Sequence, residues 1–224
     1  MNRLREISIV VPLRNKIHRA GFAIASLLRQ TLRPKEIIVV NDASQDSSED
    51  VFKTYRHGID MYLRLRDHRG AAGARNLGFA LSHGEGVFFC DADVVLEPNC
   101  LESLASAMTW SRKAYAYCSF NRAGALQGKV VSGPFDYDRL KEGNYISTMS
   151  LIRAEILPLP PFDETLERLQ DWDLWLSLAE MQHYGVFVPH ALFTAFYDAE
   201  DISLRGRESY ERAERQVLSK HGLM

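Results

Sequence analysis

Short apolar runs alternate with longer amphipathic stretches through the first half of the chain. Ile7-Ser8-Ile9-Val10-Val11, Glu36-Ile37-Ile38-Val39-Val40 and Val87-Phe88-Phe89-Cys90 are β-branched or aromatic runs of strand length, and Met61-Tyr62-Leu63-Arg64-Leu65 is a weaker one. Runs of this kind suit strands covered on both faces. Between the first two, Ile17, Ala20, Ile24, Leu27 and Leu28 recur at helical spacing, predicting a helix over about 16–30. Further helices are predicted over 47–56 and 73–82. Strands alternating with helices predict a parallel, doubly wound α/β sheet.

The second half is less regular. A helix over about 97–111 leads to a strand at Ala114–Cys118, and the glycine-bearing stretch 121–133 reads as strand and loop. Pro158, Pro160 and Pro161 interrupt the chain before an aromatic-rich helix at 169–180. Val186–Val188 and Leu192–Tyr197 read as two short strands, and 207–221 as a charged amphipathic helix stopped by Gly222.

The polar residues that end the strands carry the candidate chemistry. Asn15, Asp42 and Asp91 each fall just past a predicted strand, and in doubly wound sheets ligands bind beyond the carboxyl ends of the strands. Asp91-Ala92-Asp93 follows a fully apolar run. Carboxylates leaving a buried strand need a partner. Hard oxygen ligands suit Mg²⁺ or Mn²⁺ carrying a nucleotide diphosphate. Such a pair also suits a plain strand-end turn.

Composition narrows the setting. The 224 residues fit one domain, or one domain with a small appendage, and a net charge of −2 gives no electrostatic footprint for nucleic acid. No apolar run is long enough to span a bilayer, and no signal-peptide region precedes Pro12. Cys90, Cys100 and Cys118 lack CxxC spacing and read as reduced thiols, which points to the cytoplasm. The basic residues of the tail helix leave weak contact with the inner face of a membrane open. Its interleaved Glu208, Glu211 and Glu214 favour an ordinary solvated helix.

Five segments taken in order resemble family 2 glycosyltransferases. They are Ser8–Asn15, Val39–Asp46, Gly70–Gly78, Phe89–Asp93, and Phe162-Asp163-Glu164 followed by Gln170-Asp171-Trp172-Asp173-Leu174-Trp175-Leu176. The resemblance covers roughly residues 6–200. It implies a GT-A-type nucleotide-diphospho-sugar transferase fold, with a mixed, mostly parallel sheet flanked by helices. The domain would cover 1–203, with a C-terminal helix over 204–224 packed on it or extending from it.

The resemblance also implies roles. Pro12, Leu13, Arg14 and Asn15 would sit under the nucleotide base and ribose. Asp42, with Asn41 beside it, would accept a hydrogen bond from the base, and Arg75 would approach the diphosphate or fix the Asp91 loop. Asp91 would contact the ribose or the metal, and Asp93 would ligate the metal. Where many relatives have a further acidic residue this chain has Val94, and where many have a late histidine Asp198 falls near the position. Asp171 matches the base that would deprotonate the acceptor, with Asp173 the competing candidate and Gln170 in place of a family glutamate.

The implied activity is inverting transfer of a sugar from a nucleotide sugar, a UDP-sugar foremost, to a hydroxyl acceptor, which is a saccharide, a lipid-linked compound or another alcohol. Asn144, Tyr145, Ser147 and Thr148 are the polar candidates for the acceptor side, and a homodimer stays open. Two other readings stand beside this one. A sugar nucleotidyltransferase would want a glycine-rich phosphate loop after the first strand, and Pro12–Lys16 has no glycine. A catalytically silent nucleotide-sugar-binding module would not need both Asp91-Ala92-Asp93 and Asp171.

Overall fold

The computed structural model describes residues 4–198 and 206–224. The expected domain boundary at 203/204 lies outside the described residues. Five strands and three helices fill the first hundred positions: β1 (Ile7–Leu13), α1 (Ile17–Leu28), β2 (Glu36–Asn41), α2 (Glu49–Tyr55), β3 (Met61–Arg64), α3 (Gly70–Ala80), β4 (Gly86–Phe89) and β5 (Val94–Leu96). The rest of the chain supplies α4 (Cys100–Ser111), β6 (Tyr115–Gly124), β7 (Gly128–Val130), α5 (Tyr137–Glu142), β8 (Leu151–Arg153), α6 (Gln170–Glu180), β9 (Gly185–Tyr197) and α7 (Arg207–Lys220).

One sheet runs in the order β3-β2-β1-β4-β8-β6-β9-β5, with β7 paired to β6. β3, β2, β1 and β4 are mutually parallel, so their carboxyl ends open on one edge. β8 is antiparallel to both β4 and β6, and β9 runs parallel to β6. Helices cover both faces, and two large apolar clusters with a third small one around Ile38, Val40 and Ala74 fill the layers. The sheet is therefore mixed and mostly parallel, as expected.

Helix α3 lies close on β1 because position 78 is glycine. A Cβ there would stand 2.3 Å from Val10 Cγ1. Helix α7 buries Ala213 and Val217, and Val217 joins the cluster that holds Trp172 and Trp175. Three of its basic residues are ion-paired: Arg207 to Glu211, Arg212 to Glu167, and Lys220 to Asp163 and Asp173. Among the described residues, no helix is long and apolar enough to cross a membrane. The three cysteines are free and buried, and burial pushes their thiols up, Cys118 to about 12.

Four elements differ from expectation. The two short strands expected over 186–197 are one strand, β9, with an irregular register against β6 at Pro189-His190. Proline has no N–H for the ladder, so the chain bulges there and continues. β5 and β8 are three residues each and were not expected. Helix α5 falls in a stretch with no clear helical period.

Candidate functional site

The carboxyl ends of β1, β2 and β4 open into one cleft of about 1660 Å³. Pro12, Leu13, Arg14, Asn15, Asp42, Arg75, Asp91, Asp93, Asp171 and Asp198 all line it, as do Asn144, Tyr145, Ser147 and Thr148. Asn41, expected beside Asp42, is not among the lining residues. It is fully buried beneath the loop, and its amide is spent donating to Tyr62 Oη at 2.8 Å and accepting from Ser44 N at 2.9 Å.

The loops after β1 and β2 are zipped together. Asp42 N donates to the Leu13 carbonyl (2.8 Å), Asn15 N to Ser44 Oγ (3.1 Å), and Gln45 N to Asn15 Oδ1 (2.7 Å). Asn15 and Ala43 take left-handed backbone angles to make these turns. Helix α1 has no side-chain cap of its own. Its first N–H groups are met from the neighbouring loop, Ile17 N by Asp46 Oδ2 (3.1 Å) and Lys16 N by Ser48 Oγ (3.1 Å). A carboxylate at a helix N-terminus satisfies orphan donors and the helix dipole together.

Asp42 does the same for α3. Its oxygens accept from Arg69 N (2.7 Å) and Gly70 N (3.0 Å), and His68 Nδ1 stands 2.6 Å away. Gly70, at φ +79°, makes the turn into the helix. Asp42 is thus buried, while the half-exposed His68 beside it presents its ring to the cleft. His68 was missed in the sequence because an isolated histidine in a loop carries no spacing signal.

Arg75 projects from α3 into the centre of the cleft. It donates to Asp91 Oδ1 at 2.6 Å and to Gln170 Oε1 at 3.1 Å, and its guanidinium lies 5.4 Å from the Phe162 ring centre. Its buried Nε has no protein partner. Arg75 therefore bridges the strand-end carboxylates and the start of α6.

Asp171 sits in the first turn of α6, after Leu169 in a left-handed conformation. The protein strips water from its carboxylate and raises its pKa, against the opposing pull of the Arg75 charge and a hydrogen bond from Asn144. Asn144 is held in place by the two tryptophans of α6. Trp172 Nε1 donates to the Leu140 carbonyl (2.7 Å) and Trp175 Nε1 to the Ile146 carbonyl (2.8 Å), fixing the chain on either side of it. Both indoles are buried.

Asp173 points the other way. It is buried and accepts from Lys220 Nζ (2.9 Å) and lies 2.9 Å from His221 Nε2, at the end of α7. Glu164 fixes the cleft floor, accepting from both Asn76 Nδ2 (3.0 Å) and Arg69 (2.9 and 3.0 Å). The hydrogen bond from Asn76, helped by Arg69, lowers its pKa.

The β5–β9 register explains how Asp198 reaches Asp93. Val94 pairs with Ala195, and Phe196 N donates to the Asp93 carbonyl at 3.0 Å. Asp93 Oδ2 lies 3.0 Å from Lys16 Nζ, which is also 3.5 Å from Asp198 Oδ2. Arg19 holds the other Asp198 oxygen at 3.0 Å, and this contact keeps the carboxyl below its usual range. Among the described residues, no three His, Cys, Asp or Glu side chains converge as a self-sufficient metal cluster. One or two carboxylates facing a cleft fit a dication that brings phosphate oxygens with it. The Asp91 and Asp93 oxygens meet that requirement.

Residues 8–157 match the model of glycosyl transferase family 2, and the chain belongs to that family. It is 29% identical over 77% of its length to the Escherichia coli protein WfgD, a UDP-Glc:alpha-D-GlcNAc-diphosphoundecaprenol beta-1,3-glucosyltransferase. S. aureus TarS 1–349 in complex with UDP-GlcNAc superimposes with a TM-score of 0.77 at 18% identity, covering 96% of this chain and 66% of that one. The mannosyltransferase PcManGT from Pyrobaculum calidifontis, in complex with GDP-Man and Mn²⁺, gives 0.68 at 19% identity over 99% and 64%. These likenesses establish a GT-A fold. The chain spans 69% of WfgD and as little as 27% of other curated relatives it matches.

Proposed function

We propose that this chain catalyses inverting transfer of a sugar from a nucleoside-diphosphate sugar, a UDP-sugar foremost, to a hydroxyl acceptor. The observation that carries this reading is that Asp171 and the Asp91–Asp93 loop line one cleft, with Arg75 joining Asp91 to Gln170, the residue before Asp171. Donor and acceptor can then meet between a carboxylate base and an anion-binding edge. The names of WfgD and the complexes of TarS and PcManGT support a nucleotide-sugar donor. WfgD also supports a lipid-linked acceptor.

Arg14, Asn15 and the Asp42–His68 pair form the wall for base and ribose. Asp42 acts there chiefly by setting the start of α3 and the His68 ring. Asp91 and Asp93, with Asp198 beside them, would hold Mg²⁺ or Mn²⁺. The bound ion would neutralise the charge of the departing diphosphate. Arg75 keeps Asp91 in place and adds positive charge on the same side. Asp171 takes the proton from the acceptor hydroxyl as that oxygen attacks the anomeric carbon. The new C–O bond forms while the bond to the phosphate oxygen breaks on the opposite face, and the nucleoside diphosphate leaves.

A nucleotidyltransferase is disfavoured by the start of α1, where the Asp46 carboxylate already holds the site a phosphate would use. The experiment is a product assay with a panel of nucleotide sugars and acceptors in Mn²⁺, with the anomeric configuration read by NMR. Inverted product from a UDP-sugar is expected. Retained configuration would overturn the displacement mechanism, and donor binding without any product across the panel would favour the silent binding module.

A further inference from the structure

Lys16 stands among the carboxylates offered to the metal. Its ammonium is 3.0 Å from Asp93 and 3.5 Å from Asp198, and its side chain is largely shielded from solvent. Its backbone is fixed as firmly, because Lys16 N donates to Ser48 Oγ in the zipped loops. The ammonium therefore has a defined position over Asp93. Asp198 keeps a second cation, Arg19, whichever way Lys16 turns. The position after Asp93, where a further carboxylate would strengthen a metal site, is the buried Val94.

We propose that Lys16 is a resident counter-ion that competes with the divalent ion for Asp93. The inference rests on the metal-assisted reading above. A dication approaching the bare cleft has to displace a well-placed ammonium from Asp93, with no extra protein carboxylate next in the chain to offset the loss. The ion alone binds weakly for this reason. An ion that arrives with a diphosphate brings its own oxygen ligands, and the phosphates offer the released ammonium a new partner. Lys16 thereby makes metal binding depend on nucleotide.

The test is direct Mn²⁺ titration of the purified protein, followed by the EPR signal of the free ion, with and without UDP. The variants are Lys16→Met, Lys16→Gln, Lys16→Arg and Lys16→Met combined with Asp93→Asn, each checked for folding by thermal melting. Lys16→Met and Lys16→Gln are expected to bind Mn²⁺ alone at least tenfold more tightly than the unmodified protein, shrinking the advantage given by UDP. Lys16→Arg should keep the weak binding, and adding Asp93→Asn should abolish the gain. Mn²⁺ affinity that is unchanged or weaker in both neutral variants, while the unmodified protein binds Mn²⁺ with UDP, would overturn this inference and leave the catalytic reading standing. Failure of every variant to bind Mn²⁺ even with UDP would overturn metal assistance itself, and the role of Lys16 with it.

Discussion

Asp171 and Asp173, two residues apart on α6, serve opposite sides of the helix. Asp171 lines the cleft under the charge of Arg75, whereas Asp173 is buried against Lys220 and His221. Residues at that spacing do not share a helix face. The packing of α7 thus claims Asp173 for the fold and leaves Asp171 as the carboxylate of the pair that lines the cleft.

Asp171→Asn keeps the shape and removes the basicity. Turnover should fall roughly 10²–10⁴-fold, with UDP affinity nearly unchanged by calorimetry. Asp173→Asn should instead lower the melting temperature, since it weakens a buried carboxylate's pairing with two cationic partners. A dead Asp173→Asn of normal stability beside an active Asp171→Asn would reverse the assignment.

Arg75→Met removes the charge that restrains the raised pKa of Asp171. The base is active when ionised, so the acid limb of the pH–kcat/KM profile should move to higher pH. UDP affinity should fall too, because Asp91 loses its 2.6 Å partner. An acid limb that stays in place would show that Arg75 acts only on the donor side.

Asp42→Ala strips the acceptor from two backbone N–H groups at the start of α3. Leaving such groups unmet costs about 1–3 kcal/mol. Both stability and UDP affinity should drop, whereas His68→Ala should weaken UDP binding with little change in melting temperature. Normal UDP binding in both variants would remove this wall from the nucleotide site.

Both ring nitrogens of His221 face carboxylates, Nδ1 at 2.7 Å from Glu180 and Nε2 at 2.9 Å from Asp173. Burial alone would lower its pKa, but the hydrogen bonds and charges of Asp173 and Glu180 outweigh it, and the net shift is upward. A raised pKa gives stability that is complete below the unfolded value, near 6.5, and is lost as pH rises through the folded value. The melting temperature should therefore decline across that window, and His221→Gln should flatten the decline. Parallel curves for the two proteins would show that His221 does not titrate in the clamp.

Gly78→Ala drives a methyl group into Val10, and overpacking of this kind costs about 1–3 kcal/mol. Combining it with Val10→Ala should restore part of the loss, measured by denaturant melts.

What the chain discloses before folding follows from how local each feature is. β1, β2 and β4 are buried on both faces, so each reads as a continuous apolar run, and the polar residues ending them mark the cleft edge. β5 and β8 take their identity from distant partners, Phe193–Ala195 and Phe88–Val87, and three residues carry no period of their own. Pro189 divides β9 in the sequence and only bends it in the sheet. Asp171 is marked in the sequence by its motif alone, and the structure puts it on the cleft wall. The partners that tune it, Arg75 and Asn144, lie 96 and 27 positions away along the chain. His68 and Lys16 are single polar residues in loops, and only the folded turns give them neighbours.

Asn76 forms a two-point pair with the backbone of Phe162, donating to its carbonyl at 2.8 Å and accepting from its N–H at 2.9 Å. This is the hydrogen-bonding pattern of one rung of a sheet, made by a side chain between α3 and the segment leading to α6. One amide group thus ties α3 to the segment that leads into α6. Any movement of α3 away from that segment would have to break both hydrogen bonds at once.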